Sequence, residues 1–256
     1  MALSWSTGAR FFAAMLGSYK RAFQGGVLEL RTGSPPATAD SADTSSLINT
    51  VSLASGTVTK EVLSYGTVTL SGSGGQVDGI TVNGLQVLGA VVPWNTDLAT
   101  TAAAVATQIN TYVPVDGCEY FATSAAAVIT ITALPGTGTT PNGFVVVTTV
   151  SGGTLAKVDV NLANGVARVN GLTYGAATGG ILLKTGVWSG VNVLAGTAGH
   201  FRLLGSVVDA GGSSTTLVRV QGTCGIGSGD MPLVSTALDL GATHTVDSFQ
   251  LILPAA

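Results

Sequence analysis

Few side chains in this sequence are of types that do acid–base, nucleophilic or metal chemistry near neutral pH. Among them are His200 and His244, Cys118 and Cys224, and the aspartates Asp40 and Asp43 within SPPATADSADTSSL. A nucleophile needs a neighbouring base, and a zinc site needs three or four ligands at short spacings. His200 follows AGTAG and His244 precedes TVDSF, and neither is accompanied by the set of Cys, His, Asp or Glu ligands at short spacings that a metal site needs. Both read as surface or interface histidines. Asp40 and Asp43 could serve a calcium loop, but the small residues around them supply few further carboxylates, so the stretch reads as a solvated turn. The cysteines lie far apart and read as free thiols. No serine sits in Gly-x-Ser-x-Gly, and the runs SGSGG and GTGTTPNG lack the lysine of a phosphate-binding loop. The chain therefore nominates no catalytic, metal or cofactor-binding residue, and it reads as a non-enzyme.

The composition points the same way. Of 256 residues, 46% are hydrophobic and 9% charged, with 36 glycines and a net charge of -3. An ordinary soluble domain is roughly 25% charged. So little charge gives little colloidal repulsion, which suits a chain held inside an assembly. With no basic run, counterion release from nucleic acid has no footprint. ARFFAAMLGSY, followed at once by Lys20 and Arg21, lacks the layout of a signal peptide, and no apolar run reaches the ~18 residues of a membrane span. Synthesis in the cytosol, with no membrane partner, is the expectation.

The elements that must position these residues are mostly strands. Residues 7–23 place Phe11, Phe12, Met15, Leu16, Tyr19 and Phe23 at helical spacing behind Thr7 as a cap, predicting one amphipathic helix that covers a core or a neighbouring subunit. GGVLELRTG alternates as a strand, SPPATADSADTSSL reads as a long surface loop, and INTVSLASG resumes a strand. From about residue 58, β-like runs lead into WNTDLATTAAAVATQINTYV. This predicts a helix capped by Asn95 or Thr96, with Leu98, Ala102, Val105, Ile109 and Tyr112 in one stripe. More strands follow. After Val169, short strands recur with glycine between them, the texture of a sandwich or barrel. The first 57 residues hold too few strands to close a sheet alone, which predicts that they pair with the C-terminal part. ASG at 54–56 and VNG at 169–171 are the expected host ends. Trp94 and Trp188 are the expected core anchors, because a large aromatic supplies much of the burial in a glycine-rich sheet.

Two resemblances rest on particular stretches. STGARFFAAMLGSYKRAFQGGVLELRTGSPPATADSADTSSLI, with GLTYGAATGGILLKTGVWSGVNVLAGTAGHFRLLG and the ending DSFQLILPAA, resembles virion structural proteins of tailed bacteriophages. GITVNGLQVLGAVVPWNTDLATTAAAVATQINTYV and YFATSAAAVITITALPGTGTTPNGFVVVTT resemble a small module that recurs inside phage tail and other virion proteins. The resemblance implies a β protein displayed on the particle, carrying that module as an insertion.

The expected fold is mainly β. It has a split β-sandwich or barrel, jelly-roll-like, from residues 1–57 with 168–256, an inserted α+β module at 58–167, and an N-terminal helix. The expected function is a structural component of the virion, acting as capsid decoration or cement or in the neck. Its partners would be major capsid, neck or tail proteins and further copies of itself. Phe11, Phe12, Met15 and Tyr19 are the expected docking residues. The alternative is a tail-associated receptor- or glycan-binding module, with the insertion recognising a host surface glycan.

Overall fold

Strict alternation makes Val27–Thr32 a strand. Leu28 and Leu30 point one way and are fully buried, while Glu29 and Arg31 point the other way. In the computed structural model, which describes residues 3–16, 18–112, 120–177 and 181–252, this strand lies between Leu47–Leu53 and Gly196–Leu204. Cys118 and the side chain of Met15 lie outside the described residues. The chain is mainly β, built from several antiparallel sheets, consistent with a sandwich-like fold. It divides into two compact units, Met1–Glu61 with Arg168–Ala256 and Val62–Ala167.

In the split unit the main sheet runs, neighbour to neighbour, through Ser4–Trp5, Arg219–Ile226, Gly196–Leu204, Val27–Thr32, Leu47–Leu53, Trp188–Val191 and Thr243–Val246. The sequence order therefore alternates between the N-terminal and C-terminal segments, and neither segment makes the sheet alone. One face is apolar, with Leu28, Leu30, Phe201, Leu203 and Val220 all essentially buried. Trp188 is completely buried, packed edge-on to Tyr174 at 5.2 Å and beside Phe249 at 5.2 Å, with its indole N–H donating to the Thr185 carbonyl at 3.0 Å. Gly190 lets two strands approach closely, since a Cβ there would come within 2.4 Å of the Thr50 carbonyl oxygen. The expected host ends meet: Leu53 N–H donates to the Asn170 carbonyl at 2.9 Å, and Thr59 bridges Val169.

The N-terminal segment differs from the single helix predicted. Thr7–Leu16 forms α1 and Tyr19–Phe23 forms α2. Ser18 between them is extended, at φ -160°, and its hydroxyl caps α2 by accepting from Arg21 N–H. A serine whose hydroxyl competes for backbone hydrogen bonds favours such a break. Ser6, not Thr7, caps α1, accepting from Ala9 N–H at 2.9 Å and donating to the Leu217 carbonyl at 2.8 Å.

The inserted unit holds a four-stranded sheet, Ala156–Ala163, Tyr65–Ser71, Val128–Ala133 and Tyr120–Ala125, and a second sheet around Gln76–Val82 and Val146–Ser151. Leu98–Thr111 forms α3, whose Ala102, Val105, Ala106 and Ile109 are buried in the unit's core with Leu98 packed against it. Its cap is Asp97, which accepts from Thr100 N–H at 2.7 Å. Thr96 cannot cap, because its φ of 48° is left-handed and a capping residue is extended. Gly89 leaves room for the ring of Tyr112, which a Cβ would meet at 2.4 Å.

Side chains also close the strand edges of this unit. Asn110 on α3 donates to the Ala122 carbonyl and accepts from Ala122 N–H, both at 2.8 Å, as a neighbouring strand would. Asn161 and Asp159 accept from Val146 N–H at 3.2 Å and Thr148 N–H at 3.0 Å, stitching one sheet to the other. Unpaired edge groups would otherwise invite pairing with another chain.

Candidate functional site

The pairing register that buries Leu28 and Leu30 forces a row of charges onto the opposite face. Arg202 pairs with Glu29 on one side and Gln221 on the other, and His200 pairs with Arg31. Leu204 pairs with Arg219, so the strand Arg219–Ile226 adds a further guanidinium. His200, Arg202, Arg219 and Gln221 are all buried, because residues 34–46 and 206–217 lie over them as loops.

Each charged group holds a piece of those loops. Arg202 donates through Nη2 to the carbonyls of Ala39 at 2.9 Å and Ser41 at 2.7 Å. Gln221 donates to the Pro36 carbonyl at 2.6 Å, and Arg31 to the Ser45 carbonyl at 2.9 Å. Arg219 grips Asp209 with two bonds of 2.6 Å, the fork geometry that suits guanidinium and carboxylate, and also reaches the Gly212 carbonyl at 2.7 Å. The loops are tied to one another through Asp43 N–H to the Gly211 carbonyl at 3.1 Å and Ser214 N–H to the Asp40 carbonyl at 2.8 Å. Asp40 in turn accepts from both the N–H and the hydroxyl of Thr7, joining the start of α1 to the same assembly.

His200 and Asp43 correct the expectations drawn from sequence. His200 is fully buried, with Nε2 3.0 Å from Asp43 Oδ2 and Nδ1 3.0 Å from the Gly33 carbonyl. Asp43 is not a solvated turn residue: its side chain is 1% exposed and also accepts from Ser45. Burial alone would raise its carboxyl, but hydrogen bonds from His200 and Ser45, with the nearby Arg31 charge, hold it down at about 2. Ser45, Asp43 and His200 do not form a nucleophile–base–orienter chain. The carboxylate stands between the hydroxyl and the imidazole, and both ring nitrogens are already engaged.

The other nominated residues fall in different places. Phe11 is exposed, but Phe12 is buried against the fold, so the two do not form one outward pair; their rings meet edge-on at 5.4 Å. Tyr19 is half-buried and packs edge-on against Trp5 at 5.0 Å. Met15's side chain lies outside the described residues. Trp94 is half-buried and packed against the inserted unit's core. Burial, with Asp230 nearby, pushes the Cys224 thiol up to about 12, far from a reactive thiolate. His244 is half-buried, and burial lowers its pKa, with Asp247 opposing.

The sequence reading missed the whole charged face. Its only signal was Glu29 and Arg31 alternating with Leu28 and Leu30, which looks the same whether the polar face meets water or a loop.

Among the described residues, no group of three or more His, Cys, Asp or Glu could hold a metal, and no helix is long and apolar enough to cross a membrane. In the inserted unit, a hollow of about 170 Å³ is lined by Tyr120, Thr137, Thr140, Pro141 and Phe144, among others. That is below the roughly 300 Å³ at which small-molecule pockets begin.

The fold and site together define a mainly β, two-unit chain with a loop-covered charged face. No family model, curated protein or solved structure matches it.

Proposed function

We propose that the protein is a non-enzymatic structural component of a tailed-bacteriophage virion, stabilising the particle as a capsid decoration or neck protein through subunit contacts. The observation that carries this is the outer face of the inserted unit's four-stranded sheet. Pairing lines up Val158, Thr69, Val128 and Ala125 in one row, Val160, Thr67, Thr130 and Thr123 in the next, and Tyr65, Thr132 and Phe121 beyond. None of these residues is charged, and Val158 is 62% and Val160 53% exposed. A neighbour can cover such a face without stripping water from an ion.

The extent of the face matters. Four strands about 4.8 Å apart and three rows deep cover on the order of 400 Å². A stable pairwise interface buries about 800 Å² per partner. One such contact is therefore weak, and it becomes strong when a symmetric shell repeats it. Low overall charge and the resemblances in sequence support the same reading.

The test is to identify the chain by mass spectrometry in purified particles and then to fit the two units into density for the whole particle. Density for both units at a head or neck position is the expected result. Absence of the chain from intact particles would overturn the proposal.

A further inference from the structure

Beside the charged face of the split unit is a cavity of about 140 Å³ whose lining includes Glu29, Arg31, Arg202, Leu204 and Asp209. We propose that it is a binding site for a small inorganic monoanion of chloride size, held by Arg202.

Three observations meet here. The first is an unmet donor. Arg202 is 1% exposed, and its Nε–H has no hydrogen-bond partner, although Nη2 makes two bonds to carbonyls. A buried guanidinium N–H left unpaired is costly, and arginine cannot escape that cost by losing its proton.

The second is charge. Glu29 is held by Arg31 at 2.8 Å, and Asp209 by Arg219 at 2.6 Å, so each carboxylate at the cavity already has its own cation. The carboxylate nearest Arg202 is Asp43, at 3.9 Å, and Asp43 is committed to His200 at 3.0 Å and lies 3.6 Å from Arg31. Lys60 adds a further, half-buried cation within range of Glu29 and Asp209. Arg31 and Arg219 are thus each matched to a carboxylate within 2.8 Å, whereas Arg202 has none nearer than 3.9 Å. Burial and the like charge of Arg219 both weigh against the Arg202 cation, which Asp43, Asp209 and Glu29 only partly offset.

The third is space. A water takes roughly 30 Å³, so the cavity has room for a chloride with a few waters. A monoanion there would satisfy the free N–H and give Arg202 a counter-charge of its own. It would also fasten the loop that carries Asp209, since Ala210 and Gly211 line the same cavity.

The experiment uses the full chain. Crystals grown or soaked in sodium bromide are measured at the bromine absorption edge. In parallel, the thermal midpoint is followed as chloride replaces a bulky sulfonate at constant ionic strength. An anomalous peak beside Arg202, and a midpoint that rises by a few degrees with chloride, are expected. The Arg202→Gln variant should lose the chloride response. If that variant does not fold, the wild-type bromide map still decides. No peak in the cavity, peaks only at surface positions, water alone at Arg202, or a chloride response unchanged in Arg202→Gln would each overturn the proposal.

Discussion

Arg31, Arg202 and Arg219 place three of the chain's ten basic residues in one buried cluster, where each charge must be repaid by geometry. Such networks seldom add net stability over an apolar core, but removing one partner leaves the other charged and dry. Arg219→Met is therefore expected to destabilise the split unit by about 3–5 kcal/mol, read from denaturant unfolding, because Asp209 loses both arginine bonds. Asp43 makes a second prediction. Its carboxyl is held at about 2, below the roughly 3.9 of an unfolded aspartate, so its stabilisation is complete above pH ~4 and is lost as pH falls through ~2. The thermal midpoint should drop across that interval, and Asp43→Asn should lower the midpoint near neutral pH while flattening the drop. A midpoint equally acid-sensitive in both proteins would refute the assignment.

At the scale of elements, patterns decided by neighbours in sequence were legible. The strands Val27–Thr32 and Leu47–Leu53 and the helix α3 stand where alternation and a three-to-four spacing put them. Caps were less so. Asn95, Thr96 and Asp97 are all good capping types, and only the left-handed backbone of Thr96 moves the helix start to Asp97. The break at Ser18 was missed for a similar reason, since the apolar spacing of residues 7–23 continues across it. The stripe of α3 gives a sharp test: Ile109, 2% exposed, is part of the inserted unit's core. Ile109→Ala should cost about 2–5 kcal/mol, read as an earlier unfolding of the inserted unit in a fragment spanning residues 62–167.

For the whole molecule, each unit closes its own chain entry with an antiparallel bridge, Thr59 to Val169 in the split unit and Val62 to Val166 in the inserted one. Each also has its own buried core. Replacing residues 62–167 by a short glycine linker should therefore leave a cooperatively folding β protein, with the excised segment folding separately. Circular dichroism and thermal melts of the two products check this, and a product without a cooperative melt would refute independent folding for that unit. The structure draws the first boundary at residues 61 and 62, a few positions beyond the 57 read from composition. The reason is that residues 59–61 still pair within the split unit, through Val169 and through Ser206, whose carbonyl accepts from Glu61 N–H at 2.9 Å.

By itself the sequence determined that Val27–Thr32 and Leu47–Leu53 are strands and Leu98–Thr111 a helix, that the chain is mainly β, and that large aromatics such as Trp188 anchor a core, because these follow from side-chain type and local period. Only the tertiary structure decided that the polar face of Val27–Thr32 is buried, that His200 meets Asp43 from 157 positions away, and that Arg202 lies beside a cavity with an unmet N–H. Alternation states that a face is polar. Whether water or a loop covers it depends on long-range pairing, which no local pattern encodes.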